Sequence, residues 1–436
     1  MNKATQISIS TSAGFLVAVI ALAASCSAAE VAIDQDDRGN FVLTRDGKPY
    51  VIRGAGGSTH LADIVKNGGN SIRTWGIDTL YETVDGKPLL DRCEELGISV
   101  AVGIWIEHER HGFDYSDETQ VRDQRNLVRA AVRKYKDHPA LLVWGLGNEM
   151  EGPTTDGNTP HIWKEMNVLA SIVKEEDPHH PVMTVIAGSS ANKVKEIIEF
   201  YPNIDILGVN AYAAASSAAG DVKAAGWKRP FVLAEFGPSG HWEVDKTPWG
   251  APIEPSCREK AASYFVTHQI LMEEASDICI GSYCFLWGQK QETTSTWYGM
   301  FLPTAEKLPQ VDAMCKVWTG KWPKNRCPRV SSIESDLRES VVAPKQTFTA
   351  RMIVTDPEDD PLRWTWTVVQ ESTDIKSGGD KESVPPSFPD CIVSAKNGEA
   401  VIRVPEKPGN YRLFAIVKVD QGGASAENIC FQVKSK

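Results

Sequence analysis

A chain of 436 residues is longer than one hydrophobic core ordinarily organises, so two domains are expected. Its 42% hydrophobic and 24% charged residues are those of a globular protein and exclude a disordered or fibrous one. With 46 basic residues against 57 acidic ones the formal charge is −11, which argues against nucleic acid as a partner.

At the N-terminus Lys3 precedes the apolar stretch Ala13 to Ala24, and small residues follow up to Ala29. That is the layout of a secretory signal peptide over residues 1–29, too short to span a bilayer. Ala23–Ala–Ser–Cys26 resembles a degraded lipobox, so lipidation of Cys26 is a second route and the one means of membrane attachment. Either route makes the mature protein secreted, periplasmic or lipid-anchored. Setting Cys26 aside leaves eight of nine cysteines. Cys391 with Cys430 and Cys315 with Cys327 are plausible disulfides, while Cys93, in an apparent helix over Leu89–Leu96, reads as a buried free thiol.

Between residues 30 and 328 a strand-then-helix rhythm recurs. The expected strands are Tyr50–Gly54, Ser71–Trp75, Ser99–Ile106, Leu141–Gly147, Val182–Ala187, Ile204–Asn210, Phe231–Glu235 and Ile278–Leu286. Most are short, near-continuous apolar runs, as strands covered on both faces should be. Amphipathic stretches lie between several of them. In Val121–Tyr135, Leu127, Val128, Ala131 and Val132 share one stripe; His161–Lys174 and Lys260–Glu274 are others. Eight such units make an α/β fold, a (β/α)8 TIM barrel. Ahead of it, Asn40–Tyr50 with an Asp46–Gly47 turn predicts a hairpin plugging the barrel's base.

After Trp318 the composition shifts. Thr319–Ile333 reads as a linker, and residues 329–436 as a small all-β immunoglobulin-like sandwich with strands Gln346–Val354, Leu362–Val369, Glu399–Val404, Tyr411–Val419 and Glu427–Val433. Asp356–Pro–Glu–Asp–Asp–Pro–Leu–Arg–Trp–Thr–Trp366 resembles the signature of cadherin-like and polycystic-kidney-disease-type modules. Its acidic turn reads as solvated rather than calcium-binding. Trp364 and Trp366 alternate on one strand face, the pattern of core residues. The sandwich is expected to act as a spacer or attachment module, and turnover of a small substrate to survive deletion of residues 334–436.

Two glutamates end apolar runs: Leu141–Leu–Val–Trp–Gly–Leu–Gly–Asn148–Glu149 and Phe231–Val–Leu–Ala–Glu235–Phe–Gly237. An unpaired buried charge is costly, so such carboxylates need a reason. Active-site residues of a barrel lie at the C-terminal strand ends, where Glu149 closes the fourth strand and Glu235 the seventh. A pair of carboxylates is what glycosidic bond cleavage requires. The segment from Lys136 to Glu149 resembles the acid/base signature of glycoside hydrolase family 2. Arg229–Pro–Phe–Val–Leu–Ala–Glu235–Phe–Gly is similar to the nucleophile strand of the same clan of retaining barrels.

The resemblance implies Glu149 as general acid/base, Glu235 as nucleophile and retention of configuration. It also implies Arg73 and Tyr212 beside the nucleophile, Asn148 on the sugar 2-hydroxyl, and Trp287 as a sugar-stacking platform. His108 and His111 follow the third strand; one HxxH pair lacks a third ligand, so His108 is read as a substrate contact and no metal or cofactor is expected. Trp242, Trp249 and Trp297 sit in long loops, as outer subsites or as packing anchors. The chain departs from family 2 in having only about twenty residues between Ala29 and Tyr50. Asn210–Ala–Tyr212 is closer to the β-1,3-glucan-acting barrels of the clan. A secreted retaining glycoside hydrolase acting on a β-glucan is the expectation, with a transglycosylase on the same residues or a non-catalytic carbohydrate-binding protein as alternatives.

Overall fold

The structure, a computed structural model, describes residues 28–152 and 156–435; the expected signal segment through Ser27, with Cys26, lies outside them. Eight parallel strands close a barrel in chain order, each fully or almost fully buried: Ile52–Gly56, Ser71–Arg73, Ser99–Ile104, Leu141–Leu146, Val182–Ala187, Ile206–Asn210, Phe231–Phe236 and Cys279–Cys284. Several end earlier than the apolar runs do, because the chain leaves the ladder to aim side chains over the barrel mouth. The second strand stops at Arg73 and the eighth at Cys284. Pairing of the sixth and seventh strands shifts register between Val209 and Asn210, which sets Asn210 opposite Glu235.

The expected helices form with slightly wider bounds, at Glu118–Tyr135, Pro160–Glu176 and Cys257–Glu274. Asp117 caps the first by accepting the N–H groups of Thr119 and Gln120. Its buried stripe is Gln124, Val128, Ala131 and Val132; Leu127, expected on that stripe, is exposed at its edge. Ser256 and Glu259 close a capping box on the third helix. The expected hairpin belongs to a three-stranded antiparallel sheet, Val31–Gln35, Phe41–Arg45 and Lys48–Pro49. Val31 and Leu43 pack against the barrel's inner residues Ile52, Leu142, Met183 and Ile280.

The C-terminal part is two facing sheets. One orders Arg329–Glu334, Thr347–Thr355, Glu399–Arg403 and Ile392–Lys396; the other Ser340–Val342, Ala424–Val433, Gly409–Val419, Leu362–Gln370 and Ser387–Phe388. Their shared core includes Ile333, Met352, Trp366, Ile402, Leu413 and Phe431, with Trp364 packed against it. The linker expected through Ile333 is already strand from Arg329. That strand's alternation is too weak to read from sequence because Arg, Ser and Glu hold its outward positions. Asp356 accepts the N–H groups of Glu358 and Asp360, closing its own turn.

All eight described cysteines are free thiols, so neither expected disulfide forms. Cys327 bonds the Lys307 carbonyl, while Cys315 faces Thr319 and Lys321 at its own helix end. Cys430 lies on a strand of the five-stranded sheet and Cys391 in the short turn before the edge strand of the other sheet. Cys93 is buried in the helix Leu89–Leu96.

Barrel and sandwich are joined by a buried polar knot. Glu254 pairs with Lys260 and accepts from Thr294 (2.7 Å), Thr296 (2.8 Å) and Asn428 (2.6 Å). Arg412 of the sandwich pairs with Glu371 at 2.7 Å and donates to the barrel's Pro252 carbonyl at 2.6 Å. The Cys257 N–H donates to Glu427. A spacer has no use for so many desolvated charges.

Candidate active site

Seven side chains converge at the C-terminal end of the barrel. Glu235 is buried at the end of the seventh strand and accepts three donors. Arg73 Nη1 reaches Oε1 at 3.0 Å, Trp75 Nε1 reaches the same oxygen at 2.8 Å, and the Tyr212 hydroxyl reaches Oε2 at 2.8 Å. Convergent donors of this kind suit a charged carboxylate. Arg73 is itself buried and spreads its fork further: Nη1 donates to the Ala234 carbonyl at 3.1 Å, and Nη2 to Asn148 Oδ1 at 2.7 Å.

Glu149 is held differently. After the fourth strand the chain turns at Gly147 (φ +71°), where a Cβ would stand 2.8 Å from Met150. Glu149 then sits in the left-handed region at φ +52°, which an ordinary residue adopts only when its surroundings impose it. Its N–H bonds the Val185 carbonyl at 2.8 Å, pinning that turn to the fifth strand. One donor meets its carboxylate, Asn210 Nδ2 at 2.8 Å. Burial and then the Glu235 charge push its carboxyl up to about 7, against the opposing Asn210 bond. Asn148 accepts from both Arg73 and Asn210, so its amide NH2 is what it can offer a ligand.

The pocket wall is aromatic. Phe285, which follows the eighth strand, packs against Trp75, Tyr212 and Tyr298. Trp242, 55% exposed, stands edge-on to Tyr212 at 5.8 Å. Trp287 does not serve as the platform. It is fully buried among Phe301 and Trp318, with Nε1 on the His60 carbonyl. An aromatic after an apolar strand reads the same from sequence whether it faces a sugar or the core. Trp297 is fully buried too, while Trp242 offers an open face. Trp242→Ala is expected to raise KM about 3- to 10-fold with little change in kcat, as the loss of an aromatic contact of ~0.5–1.5 kcal/mol should. Steady-state kinetics check it, and a fall in kcat alone would place the residue elsewhere.

His108 is buried at the rim, with Nδ1 on Arg110 at 2.8 Å and its ring on Trp105. Burial, with Arg110 beside it, pushes its imidazole down to about 3, so it is neutral. His111 pairs with Asp380 at 3.2 Å. Among the described residues no group of three or more His, Cys, Asp or Glu is gathered as for a metal ion. Trp75 and Asn210 are the residues that sequence reasoning passed over. Trp75 follows Arg73 by two positions, and Asn210 heads the Asn210–Ala–Tyr212 run.

Among solved structures, a Bacteroides uniformis β-glucuronidase 2 bound to cyclophellitol-6-carboxylate aziridine is 14% identical with a TM-score of 0.50, covering 93% of this chain and 48% of its own. A family 2 β-galacturonidase from Eisenbergiella tayi bound to galacturonate is 16% identical with a TM-score of 0.50, covering 67% and 54%. A β-D-glucuronidase of Dictyoglomus thermophilum is 14% identical, with a TM-score of 0.50 and 68% and 54% covered. The chain thus spans about half the length of these structures, and at such identity the likeness is one of fold. No curated protein matches in sequence. Residues 80–240, which hold Glu149, Asn148, Asn210, Tyr212 and Glu235, match the model described as glycosyl hydrolases family 2, TIM barrel domain, so this part of the barrel is similar to the barrels of that family.

Proposed function

We propose that the protein is a retaining β-glycosidase in which Glu149 protonates the leaving oxygen and Glu235 attacks the anomeric carbon. The observation that supports this reading is the unequal treatment of two neighbouring carboxylates. Glu235 receives three donors, one of them cationic, while Glu149 receives one amide and is raised to about 7. An acid that holds its proton near neutrality beside a carboxylate held by three donors is the division of labour that double displacement needs. In the first step Glu235 forms a bond to the anomeric carbon as the glycosidic C–O bond breaks and the Glu149 proton passes to the departing oxygen. In the second, Glu149 takes a proton from water, which displaces Glu235.

The substrate is a β-glycan, with β-glucan first because of Asn210–Ala–Tyr212. The protein reaches it outside the cytoplasm by the signal segment or by Cys26 lipidation, and the C-terminal sandwich is of the cadherin-like, immunoglobulin-like kind. The test is a panel of β-glucans, β-glucuronides and β-galacturonides, run with wild type and Glu149→Gln. Longer products than the substrate would identify transglycosylation. Binding without turnover would leave a carbohydrate-binding protein.

The pH profile gives a separate check. The Glu149 carboxyl is protonated below about 7, so acid assistance is present there and is lost roughly tenfold per pH unit above it. An aryl glycoside with a strongly acidic phenol needs no proton and should lose this alkaline limb. The limb should also vanish in Glu149→Gln; its persistence there would assign it to another group.

A further inference from the structure

We propose that residues 371–386 of the sandwich form a wall of the substrate cleft, clasped to the barrel rim, and so limit the length of glycan the cleft admits. This rests on the glycosidase reading above. The segment is the sixteen-residue connection between the strands Leu362–Gln370 and Ser387–Phe388, and it contains no helix or strand. Connections of that length in a compact fold are usually functional.

It meets the barrel at two places. On the loop after the third strand, Asp380 contacts Arg110 at 3.5 Å and His111 at 3.2 Å. On the loop after the eighth strand, Lys290 Nζ donates to the Gly379 carbonyl at 2.8 Å, and the Thr293 N–H donates to Glu382 at 2.6 Å. In the closed ring the first and second strands lie between the eighth and the third, so the segment bridges that arc of the rim. Gly378 and Gly379 both take positive φ, +65° and +73°. A Cβ would stand 3.0 Å from Arg110 Nη2 at the first and 3.1 Å from Lys290 Nζ at the second. Two rim cations thus lie directly on glycine backbone, an approach that larger residues would obstruct.

The segment is built to hold that shape. Glu382 is buried and also accepts the Lys376 N–H at 3.1 Å, and Asp374 accepts the Ser383 N–H at 3.0 Å. Its root, Glu371, is paired to Arg412. It is also close to the chemistry. Lys290 stands 5.6 Å over the Phe285 ring, which touches Trp75 and Tyr212, the two neutral donors to Glu235. Lys290 pairs at 2.7 Å with Glu292. Burial raises the Glu292 carboxyl, Lys290 opposes that, and the charges of Glu235 and Glu382 add to it, so Glu292 feels both the nucleophile and the wall. Deleting residues 334–436 would therefore remove part of the cleft, contrary to the spacer expected from sequence.

The test uses the full chain, the double variant Gly378→Val/Gly379→Val, and Asp380→Ala. Two measurements are made: hydrogen exchange across residues 105–113 and 288–296, and kcat/KM on β-1,3-glucan oligosaccharides of two to six sugars. The expected result is faster exchange in both rim loops, with the hexasaccharide-to-disaccharide ratio of kcat/KM raised about tenfold or more. Unchanged exchange with an unchanged ratio overturns the proposal, and so does faster exchange without a change in ratio. If wild type cleaves none of the oligosaccharides, the substrate reading fails on its own. Exchange then decides the clasp: faster upholds it, and unchanged overturns it.

Discussion

Glu235→Gln is expected to lose at least about 10⁴-fold in kcat while keeping its fold, because the amide oxygen still accepts from Arg73 and Trp75 and its NH2 can donate to the Tyr212 oxygen, but the amide cannot attack carbon. A slow substrate should add one glycosyl residue to wild type by intact mass and none to the variant. A smaller residue at the same place, Glu235→Gly, leaves room for azide, which should restore turnover and yield a glycosyl azide of inverted configuration. Retention of more than about one per cent of wild-type kcat by the glutamine variant would exclude the nucleophile role.

Arg73→Met is expected to have the second largest effect, on stability as well as on activity. The side chain is buried and its guanidinium serves Glu235, the Ala234 carbonyl and Asn148 at once. Removing it strands the Glu235 charge in a buried place, a loss on the order of 3–5 kcal/mol for breaking such a pair. It also removes one of the two donors that hold Asn148, so kcat should fall about 10²-fold or more. Arg73→Lys keeps the charge but not the fork, and should recover stability more than activity. Thermal unfolding and kcat measured on both variants separate the two effects. Equal recovery of both in the lysine variant would mean that geometry matters little here.

Glu149 and Glu235 could be found in the sequence because a charge at the end of an apolar run is expensive and therefore conspicuous. The barrel was legible for a related reason: strands covered on both faces leave unbroken apolar runs, and the structure closes eight of them into a ring. Arg73 and Tyr212 could be placed by the resemblance of their segments to the clan of retaining barrels. Trp75 and Asn210 could not, since their roles depend on where the second and sixth strands leave the ladder, and that register shift has no local signature. Trp287 misled because core and platform aromatics share one pattern. The segment 371–386 shows only a polar, glycine-bearing stretch, and its partners Arg110 and Lys290 lie far away in sequence. Spacing along a chain carries no information about contacts of that kind.

The knot around Glu254 also sets an order of events during synthesis. The barrel's last helices are made well before Arg412 and Asn428 emerge, yet Glu254 shares its acceptors with Asn428, and Pro252 offers its carbonyl to Arg412. Until those residues leave the ribosome, Lys260, Thr294, Thr296 and solvent must satisfy Glu254, and the Cys257 N–H waits for Glu427. The nascent barrel therefore carries an open polar seam on the flank where the sandwich will dock. The strand Ala424–Val433 closes that seam, so the barrel reaches its finished form only once that strand has been translated.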